Sequence, residues 1–316
     1  ADLTVTFGAL KPGLLVSPGR EFSGQVRLVE IGLEFDELPV AEVLDPLGVA
    51  LALPMPGPDD YKYSRGVVGI VAGSDRYRGA ALLCTGAAAR ANIGMVVYLD
   101  RGDGLATEVV QAVPDIVAFT DDPSTNERVN AWTIGPGIGD DPAALHAVLA
   151  TKVPVVLDAD ALRMCSHPAI RADLAARSAR GMITVMTPHV GEFSGLGFSL
   201  GDDRLGAAKA AAKDLGVVMV LKGAGTIIAA PSGRAYVDTE GTEVLGTAGS
   251  GDVLSGLVGA FIAANSPTSL DDAARVAAAA VALHGHAGTC AELAQGTVNA
   301  KNIMESIPAA FESVLA

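Results

Sequence analysis

From about residue 60 onward, short apolar segments alternate with longer segments of helical character, and this alternation restricts the possible folds more than any other feature. The apolar segments predict strands at Val67–Ala72, Met95–Leu99, Ala131–Ile134, Val153–Leu157, Met182–Met186, Val217–Leu221 and Thr226–Ala229. Helices are predicted at Ala80–Asn92, Pro142–Ala150, Arg204–Leu215, Asp252–Ala264 and Ser269–Ala294. Because the strands are continuously apolar, both faces of their sheet should be covered. The pattern predicts an α/β fold, a three-layer αβα sandwich with a mainly parallel sheet.

Residues 1–58 have a different character. They contain two short predicted strands, Thr4–Phe7 and Gln25–Ile31, and end in Leu53–Pro58, a linker-like stretch with three prolines. Two short strands cannot bury a core by themselves. We therefore expect residues 1–58 to be either a decoration of the main domain or the tail of a second domain, with residues 59–316 forming the main domain.

Composition excludes several classes of partner. Lys and Arg number 22 against 36 Asp and Glu, for a net charge of −14. Nucleic acids and anionic membranes attract basic surfaces, so neither is expected to bind. The three cysteines are widely spaced, which fits buried residues of a reducing compartment better than disulfides or a zinc site. We find no signal-peptide pattern and no run of about 18 apolar residues, so the expected location is the cytoplasm.

Turns that carry glycine or acidic residues follow five of the predicted strands. They are Gly73–Ala80, Gly135–Asp140, Asp158–Asp160, Thr187–Glu192 and Lys222–Thr226. Because ligands of open α/β sheets bind at the carboxyl ends of the strands, these turns are expected to share one site. None of them matches a P-loop or a dinucleotide-binding fingerprint.

The sharpest motif is Gly246–Gly256, in which glycines precede a predicted helix with apolar residues four positions apart. The backbone amides of Gly249, Ser250 and Gly251 would meet the positive end of the helix dipole, which favours a bound anion. Asp252, at the same place, could take a proton from an attacking hydroxyl. The alternative is that Asp252 only caps the helix.

Gly249–Asp252 resembles the anion hole and catalytic base of the ribokinase-like superfamily. The five turns, in this order, together with His284-Gly285, resemble the NAD(P)H-hydrate dehydratase family over residues 60–312. Val190, Gly246 and Ser250 stand where that family usually has proline, alanine and threonine, which bears on loop geometry rather than on chemistry. Residues 4–33 resemble the closing segment of an NAD(P)H-hydrate epimerase domain, which many bacteria fuse in front of the dehydratase. Most of that domain is missing, so no epimerase activity is expected of this chain.

The resemblance implies dehydration of (6S)-NADHX and NADPHX, the hydrated forms of NADH and NADPH, with ADP as co-substrate and ATP as the alternative. It implies that Asp252 is the base and that Gly249, Ser250 and Gly251 stabilise the transferred phosphoryl group. The AMP part of the nucleotide would bind Lys222, Gly223, Ala224, Gly225, Thr226 and Gly251, and the hydrate would bind Ala80, Gly137, His189 and Asp252. Glu192 and Asp158 are candidates for positioning Mg²⁺, since hard cations prefer carboxylate oxygens. A homo-oligomer, a tetramer, is also implied.

Several alternatives remain open on the sequence alone. His189 could be a structural histidine, and Lys222 an exposed charge at a strand end. A small-molecule kinase of the same fold would share Gly251-Asp252, although it should lack the Thr187-Pro188-His189 and Lys222–Thr226 motifs. A non-catalytic nucleotide-binding protein would keep the fold and bind nucleotide without releasing phosphate.

Overall fold

The computed structural model describes residues 1–102 and 104–316. Its strands are β1 (Leu3–Phe7), β2 (Gln25–Val29), β3 (Val67–Val71), β4 (Met95–Leu99), β5 (Val117–Phe119), β6 (Ala131–Ile134), β7 (Val155–Leu157), β8 (Thr184–Met186), β9 (Val218–Leu221), β10 (Ile227–Ala229) and β11 (Ala235–Val237). Its helices are α1 (Pro12–Leu15), α2 (Arg20–Ser23), α3 (Pro46–Ala50), α4 (Arg78–Arg90), α5 (Leu105–Ala112), α6 (Pro142–Ala150), α7 (Ala159–Met164), α8 (Pro168–Ala179), α9 (Val190–Gly195), α10 (Arg204–Leu215), α11 (Ser250–Asn265), α12 (Leu270–Gln295), α13 (Ala300–Glu305) and α14 (Ile307–Leu315). Short 3₁₀ helices cover Pro123–Thr125 and Glu243–Leu245.

In the described part of the chain, the main sheet has nine strands in the order β11-β10-β9-β8-β7-β6-β3-β4-β5. The strands from β9 to β5 are all parallel to one another, whereas β10 is antiparallel to both β9 and β11. The chain proceeds from β3 to β4 on one side and later returns to β6 on the other side of β3. This reversal between β3 and β6 is the topological switch point at which such sheets bind ligands.

Helices cover both faces of the sheet, as the continuously apolar strands predict. Along β3, Val68 and Ile70 face a core that includes residues of α4, α11, α12 and α14, and Val67 and Val71 face a second core with residues of α6, α8 and α10. Both sets of β3 side chains are fully buried. The predicted mainly parallel αβα sandwich is therefore confirmed. Across the described residues, none of the helices combines the length and the apolar character that a membrane crossing requires.

All predicted elements are present with bounds within two residues of those expected, whereas several helices, among them α5, α8 and α14, and two edge strands were not predicted. β4, β6, α6 and α10 begin and end at the predicted residues, whereas β8 begins two residues later than expected, at Thr184. The strands β5 and β11 have three residues each and lie at the two edges of the sheet.

The N-terminal segment packs against the main sheet. β1 and β2 pair in parallel with each other, and between them Leu15 and Val16 are buried in the second core beside residues of β9, β10 and β11. Farther along, Glu42 makes a parallel bridge to Tyr236 of β11. Residues before position 58 therefore contribute to the core of the larger unit, and the domain boundary at residue 58 stays a prediction.

Candidate active site

Backbone hydrogen bonds link the five predicted turns into one continuous edge. Each turn joins its neighbour through an amide and a carbonyl at the carboxyl ends of adjacent strands. The links are Gly73 N to Pro136 O (2.7 Å), Gly135 N to Val71 O (3.2 Å), Asp158 N to Ile134 O (3.1 Å), Thr187 N to Leu157 O (3.1 Å) and Lys222 N to Pro188 O (2.8 Å). Motifs that are up to about 150 residues apart in the chain thus lie side by side, as the parallel sheet predicts.

A cavity of about 630 Å³ opens along the β8–β9 part of this edge. That volume lies within the range of small-molecule and nucleotide sites. Its lining residues are Arg20, His189, Val190, Lys222, Gly223, Ala224, Thr226, Asp238, Gly241, Thr242, Glu243, Leu245, Gly246, Thr247, Ser250, Gly251, Leu254, Val281 and His284.

The first turn of α11 has the geometry of an anion cradle. Gly249 is the N-cap, with φ of +88°, and a Cβ at this position would lie 2.6 Å from Leu83 Cδ1. Glycine therefore relieves both backbone strain and a steric clash, and it adds no side chain to cap the following amides. The amide of Ser250 donates to the Thr247 carbonyl, which leaves the amides of Gly251 and Asp252 as the next donors at the positive end of a 16-residue helix. The predicted phosphate cradle is thus sterically and electrostatically suited to an anion.

Asp252 is half-buried at the same turn. Burial, and then the negative charge of Asp158, raise the pKa of Asp252 to about 6, while Lys222 acts to lower it. Among the described residues the carboxylate of Asp252 has no hydrogen-bond donor, so it does not cap α11. Ser250 and Gly251 line the cavity, and Asp252 lies just outside its lining. This is the environment of a carboxylate that can accept a proton near neutral pH.

Lys222 lies beneath the cradle and is bound by two carboxylates. Its Nζ atom is 2.8 Å from Asp158 Oδ1 and 3.7 Å from Glu192 Oε2, and it would lie 3.4 Å from a Cβ on Gly251. The hydroxyl of Ser255 donates to the second oxygen of Asp158, which is almost fully buried. Burial acts to lower the pKa of Lys222, but the charges of Asp158 and Glu192 outweigh it and raise that pKa. Lys222 is therefore a largely buried cation of the site rather than an exposed charge at a strand end.

The same contacts decide whether the carboxylates of Asp158 and Glu192 fit Mg²⁺. Asp158 already accepts hydrogen bonds on both oxygens, and Glu192 accepts one from the His189 amide (2.8 Å) and faces Lys222. No group of three or more His, Cys, Asp or Glu residues suitable for a metal occurs within residues 1–102 and 104–316. As arranged, the two carboxylates hold an ammonium group, and their part in positioning Mg²⁺ stays a prediction.

His189 and His284 both line the cavity, with different surroundings. The Nδ1 atom of His189 accepts the amide protons of Gly191 (2.9 Å) and Glu192 (3.2 Å), so this ring caps α9, yet its side chain remains 61% exposed. His284 is buried, lies 3.2 Å from the Ser250 hydroxyl, and its pKa is lowered to about 4 by burial. His189 thus has the structural role that we considered while still facing the cavity, and His284 is a neutral support for the cradle.

Ala80 and Gly137 lie together, but outside the cavity lining. A Cβ on Gly137 would be 2.8 Å from the Cβ of Ala80, so the turns after β3 and β6 are in contact at the switch point. Ala80 is one turn before Leu83, whose side chain packs on Gly249. Of the residues predicted to bind the hydrate, the structure places Ala80 and Gly137 on one side of the α11 start and His189 on the cavity side.

Arg20, Ser255 and His284 are among the site residues that were not predicted. Arg20 comes from the N-terminal segment, Ser255 binds Asp158, and His284 supports Ser250. Ser255 had a local signal, because it lies one helical turn after Gly251 and therefore on the same face of α11. His284 was noted only as part of the motif set that resembles the family, without a role. Arg20 and His284 approach the site from distant parts of the chain.

Comparison with known proteins places the chain in a family. A family model described as NAD(P)H-hydrate dehydratase matches residues 68–309. The chain is 45% identical over 273 residues to a protein of Mycobacterium tuberculosis named bifunctional NAD(P)H-hydrate repair enzyme Nnr, covering 85% of the chain and 54% of that protein. It is 34% identical over 262 residues to the ADP-dependent (S)-NAD(P)H-hydrate dehydratase of Neisseria meningitidis, covering 80% and 86%. The chain thus spans about half the length of the bifunctional relative.

Solved structures agree with this assignment. The ADP/ATP-dependent NAD(P)H-hydrate dehydratase of Bacillus subtilis, co-crystallised with ATP/Mg²⁺, superposes with a TM-score of 0.72 at 28% identity, covering 87% of this chain and 99% of that one. A ribokinase-like superfamily protein of Enterococcus faecalis has a TM-score of 0.70 at 22% identity, covering 89% and 99%, which supports the fold alone.

Proposed function

The chain belongs to the NAD(P)H-hydrate dehydratase family, and we propose that it converts (6S)-NADHX and NADPHX to NADH and NADPH with ADP as co-substrate. The hydroxyl on the hydrated nicotinamide ring is a poor leaving group. In the first step its oxygen attacks the terminal phosphorus of ADP, AMP leaves with the electrons of the bridging P–O bond, and Asp252 takes the hydroxyl proton. In the second step the ring C–O bond breaks, phosphate leaves with the electron pair, and loss of a ring proton restores the double bond.

The position of Asp252 is the observation that carries this proposal. The first turn of α11 presents Ser250 and Gly251 to the cavity, while Gly249 at its start packs on the helix that bears Ala80. A carboxylate on this turn can reach a hydroxyl on one side and the terminal phosphoryl group of a nucleotide on the other. A base between the two reactants is what phosphoryl transfer to an alcohol requires.

The nucleotide half of the site is assigned to the cavity. We assign the AMP part of ADP to the loop from Lys222 to Thr226 and to Gly251, and the transferred phosphoryl group to the turn Gly249, Ser250 and Gly251. The Gly251 amide is the available donor there, because the Ser250 amide donates to the Thr247 carbonyl. The placement of the Lys222 ammonium beside Gly251 supports this assignment, because a cation next to an amide cradle stabilises developing phosphate charge. Pairing with two carboxylates keeps that ammonium protonated.

The hydrate half is assigned to Ala80, Gly137 and Asp252, with His189 at the border of the cavity. Ala80 and Gly137 bring the turns after β3 and β6 into contact at the switch point, where α/β sheets of this kind hold their ligands. The exposed face of His189 can contact the part of the substrate that extends toward the cavity.

Magnesium enters this scheme only with the nucleotide. Because Asp158 and Glu192 are occupied by Lys222, Ser255 and the His189 amide, we assign no step to Mg²⁺, and their predicted part in positioning it stays a prediction. Mg²⁺ usually keeps several waters and binds substrate phosphates. The ATP/Mg²⁺ complex of the Bacillus subtilis relative supports a metal that arrives on the phosphates, and ATP as an alternative donor.

The wider setting is part of the proposal. We assign residues 1–58 to the remnant of an NAD(P)H-hydrate epimerase domain plus linker, which is supported by the bifunctional name of the Mycobacterium tuberculosis relative and its greater length. A homotetramer and fusion or partnership with an epimerase stay predictions that follow from the family resemblance, and a cytoplasmic location stays a prediction from the sequence pattern.

One assay separates the proposed function from its rivals. We expect the chain, incubated with ADP and hydrated NADH, to produce the absorbance of NADH together with equimolar AMP and phosphate. A kinase of the same fold would instead accumulate a stable phosphorylated product, and a non-catalytic binder would hold ADP without releasing phosphate. Either of those outcomes contradicts the dehydratase assignment.

A further inference from the structure

Residues 15–17 of the N-terminal segment lie directly behind the loop that follows β9. The Ser17 amide donates to the Ala224 carbonyl at 3.3 Å. Gly225 has φ of +72°, and a Cβ there would lie 2.1 Å from the carbonyl oxygen of Leu15. The side chains of Leu15 and Val16 are each 7% exposed, in the same core as β9 and β10. The backbone of the predicted nucleotide loop is therefore packed against the backbone of the N-terminal segment.

Arg20 extends this contact to a second wall of the cavity. Its guanidinium donates to the carbonyl oxygens of Asp238 (3.5 Å), Thr239 (3.4 Å) and Gly241 (2.9 Å). The Asp238 amide in turn donates to the Thr226 carbonyl at 2.8 Å. One side chain thus holds the 238–241 turn, and this turn holds the end of the nucleotide loop. The planar fork of arginine suits several carbonyl acceptors at once.

Arg20 also matters to the charge of the cavity. The described lining of the cavity contains one arginine and one lysine, Arg20 and Lys222, and two acidic residues, Asp238 and Glu243. Burial raises the pKa of Asp238 to about 6, and Arg20 acts to lower it. Removing Arg20 would leave the acidic residues of this wall without the nearby cation and make the cavity less favourable for an anionic nucleotide.

We propose that Arg20 is a positioning residue of the nucleotide site, and that the N-terminal segment forms a wall of this site. Arg20 holds the 238–241 turn while Leu15 and Ser17 support the loop from Lys222 to Thr226, so that both walls are arranged before ADP binds. This inference rests on the proposed function only for the identity of the nucleotide. A preformed site saves the ordering cost that binding would otherwise have to meet.

The test compares Arg20→Met with Arg27→Met in the full chain. Arg27 lies in the same segment but is exposed on β2, so its variant controls for the loss of one positive charge. ADP affinity is measured by calorimetry without hydrate, and KM values for ADP and hydrated NADH are measured separately. We expect Arg20→Met to weaken ADP binding and to raise the KM for ADP about tenfold, the scale of losing a charged hydrogen-bond donor. The KM of Arg20→Met for hydrated NADH should stay within about twofold of wild type. The ADP affinity and both KM values of Arg27→Met should also stay within about twofold.

An ADP affinity of Arg20→Met within twofold of wild type would overturn the inference. So would equal increases in the KM values for ADP and hydrate, since these would indicate a general structural role. Arg20→Gln, which retains a hydrogen-bonding side chain, is the second variant should Arg20→Met fail to fold, and unfolding of both would also overturn the inference. Wild type that binds ADP without turnover refutes the proposed function alone, whereas wild type that does not bind ADP refutes both.

Discussion

Replacing Asp252 by Asn tests the catalytic argument most directly, because it removes the charge of the proposed base and keeps its shape. With a pKa of about 6, the Asp252 carboxyl is about 90% ionised at pH 7 and can still bind a proton in the transition state. A positioned base contributes about 100-fold to 10,000-fold, which corresponds to about 3–5 kcal/mol of activation free energy. We therefore expect Asp252→Asn to lower kcat at least about 100-fold.

Binding of ADP should survive this change. The carboxylate lies beside the amide cradle, and its removal takes away a negative charge that repels the phosphates. Turnover is followed by NADH absorbance and phosphate release, and ADP affinity by calorimetry. Asp272→Asn is the matched control, since Asp272 is the third residue of α12 just as Asp252 is the third residue of α11. Both variants lose a carboxylate that interacts with a helix dipole, but only one should lose activity.

Two results would refute the reasoning about Asp252. If Asp252→Asn turned over within tenfold of wild type while ADP binding was retained, the proton would be taken by another group. If ADP binding and turnover fell together, Asp252 would hold the cradle in shape rather than act on the substrate.

Three further predictions follow from the same contacts. The logarithm of kcat/KM should fall with slope one as pH drops below about 6, because protonated Asp252 cannot accept a proton, and a flat profile between about pH 5 and 8 would contradict this. Lys222→Met leaves the buried Asp158 carboxylate unpaired and should lower the free energy of unfolding, measured with urea, by about 3–5 kcal/mol. Adding Asp158→Asn should recover part of that loss. If the double variant recovered no stability, the loss of the ion pair would be excluded as the cause. Gly225→Ala should lower the free energy of unfolding by at least about 1 kcal/mol more than Gly233→Ala does. Both glycines have positive φ, but only a Cβ at position 225 would meet a backbone carbonyl. Equal losses of stability would argue against the close contact with the N-terminal segment.

The Lys222 network shows what residue type alone could not specify about the two carboxylates Asp158 and Glu192. Asp158 and Glu192 are carboxylates at strand ends, which is where a magnesium site is expected in a phosphoryl-transfer enzyme. Only the folded chain shows that a buried ammonium occupies the space between them. Residue type and strand position indicate that the two carboxylates need a positively charged partner. They do not specify which cation that partner is.

Much of the architecture follows from the sequence alone. Continuously apolar strands separated by helical segments require a sheet covered on both sides, and parallel connection brings the glycine turns to one edge. The predicted cradle at Gly249–Asp252 also follows from the sequence, because a glycine before an amphipathic helix leaves its first amides uncapped. These properties depend on local periodicity and backbone geometry, which short stretches of sequence encode.

Contacts between distant parts of the chain had to come from the tertiary structure. Lys222 pairs with Asp158 across 64 residues, Ser255 reaches Asp158 across 97, and Arg20 reaches Gly241 across 221. Each depends on how separate elements pack, and no local pattern records which arginine or serine will arrive at a given place. The sequence therefore determined the layers, the sheet edge and the cradle, whereas packing decided which cation lies under the cradle and which segment forms the cavity wall, because such contacts exist only after the chain has folded.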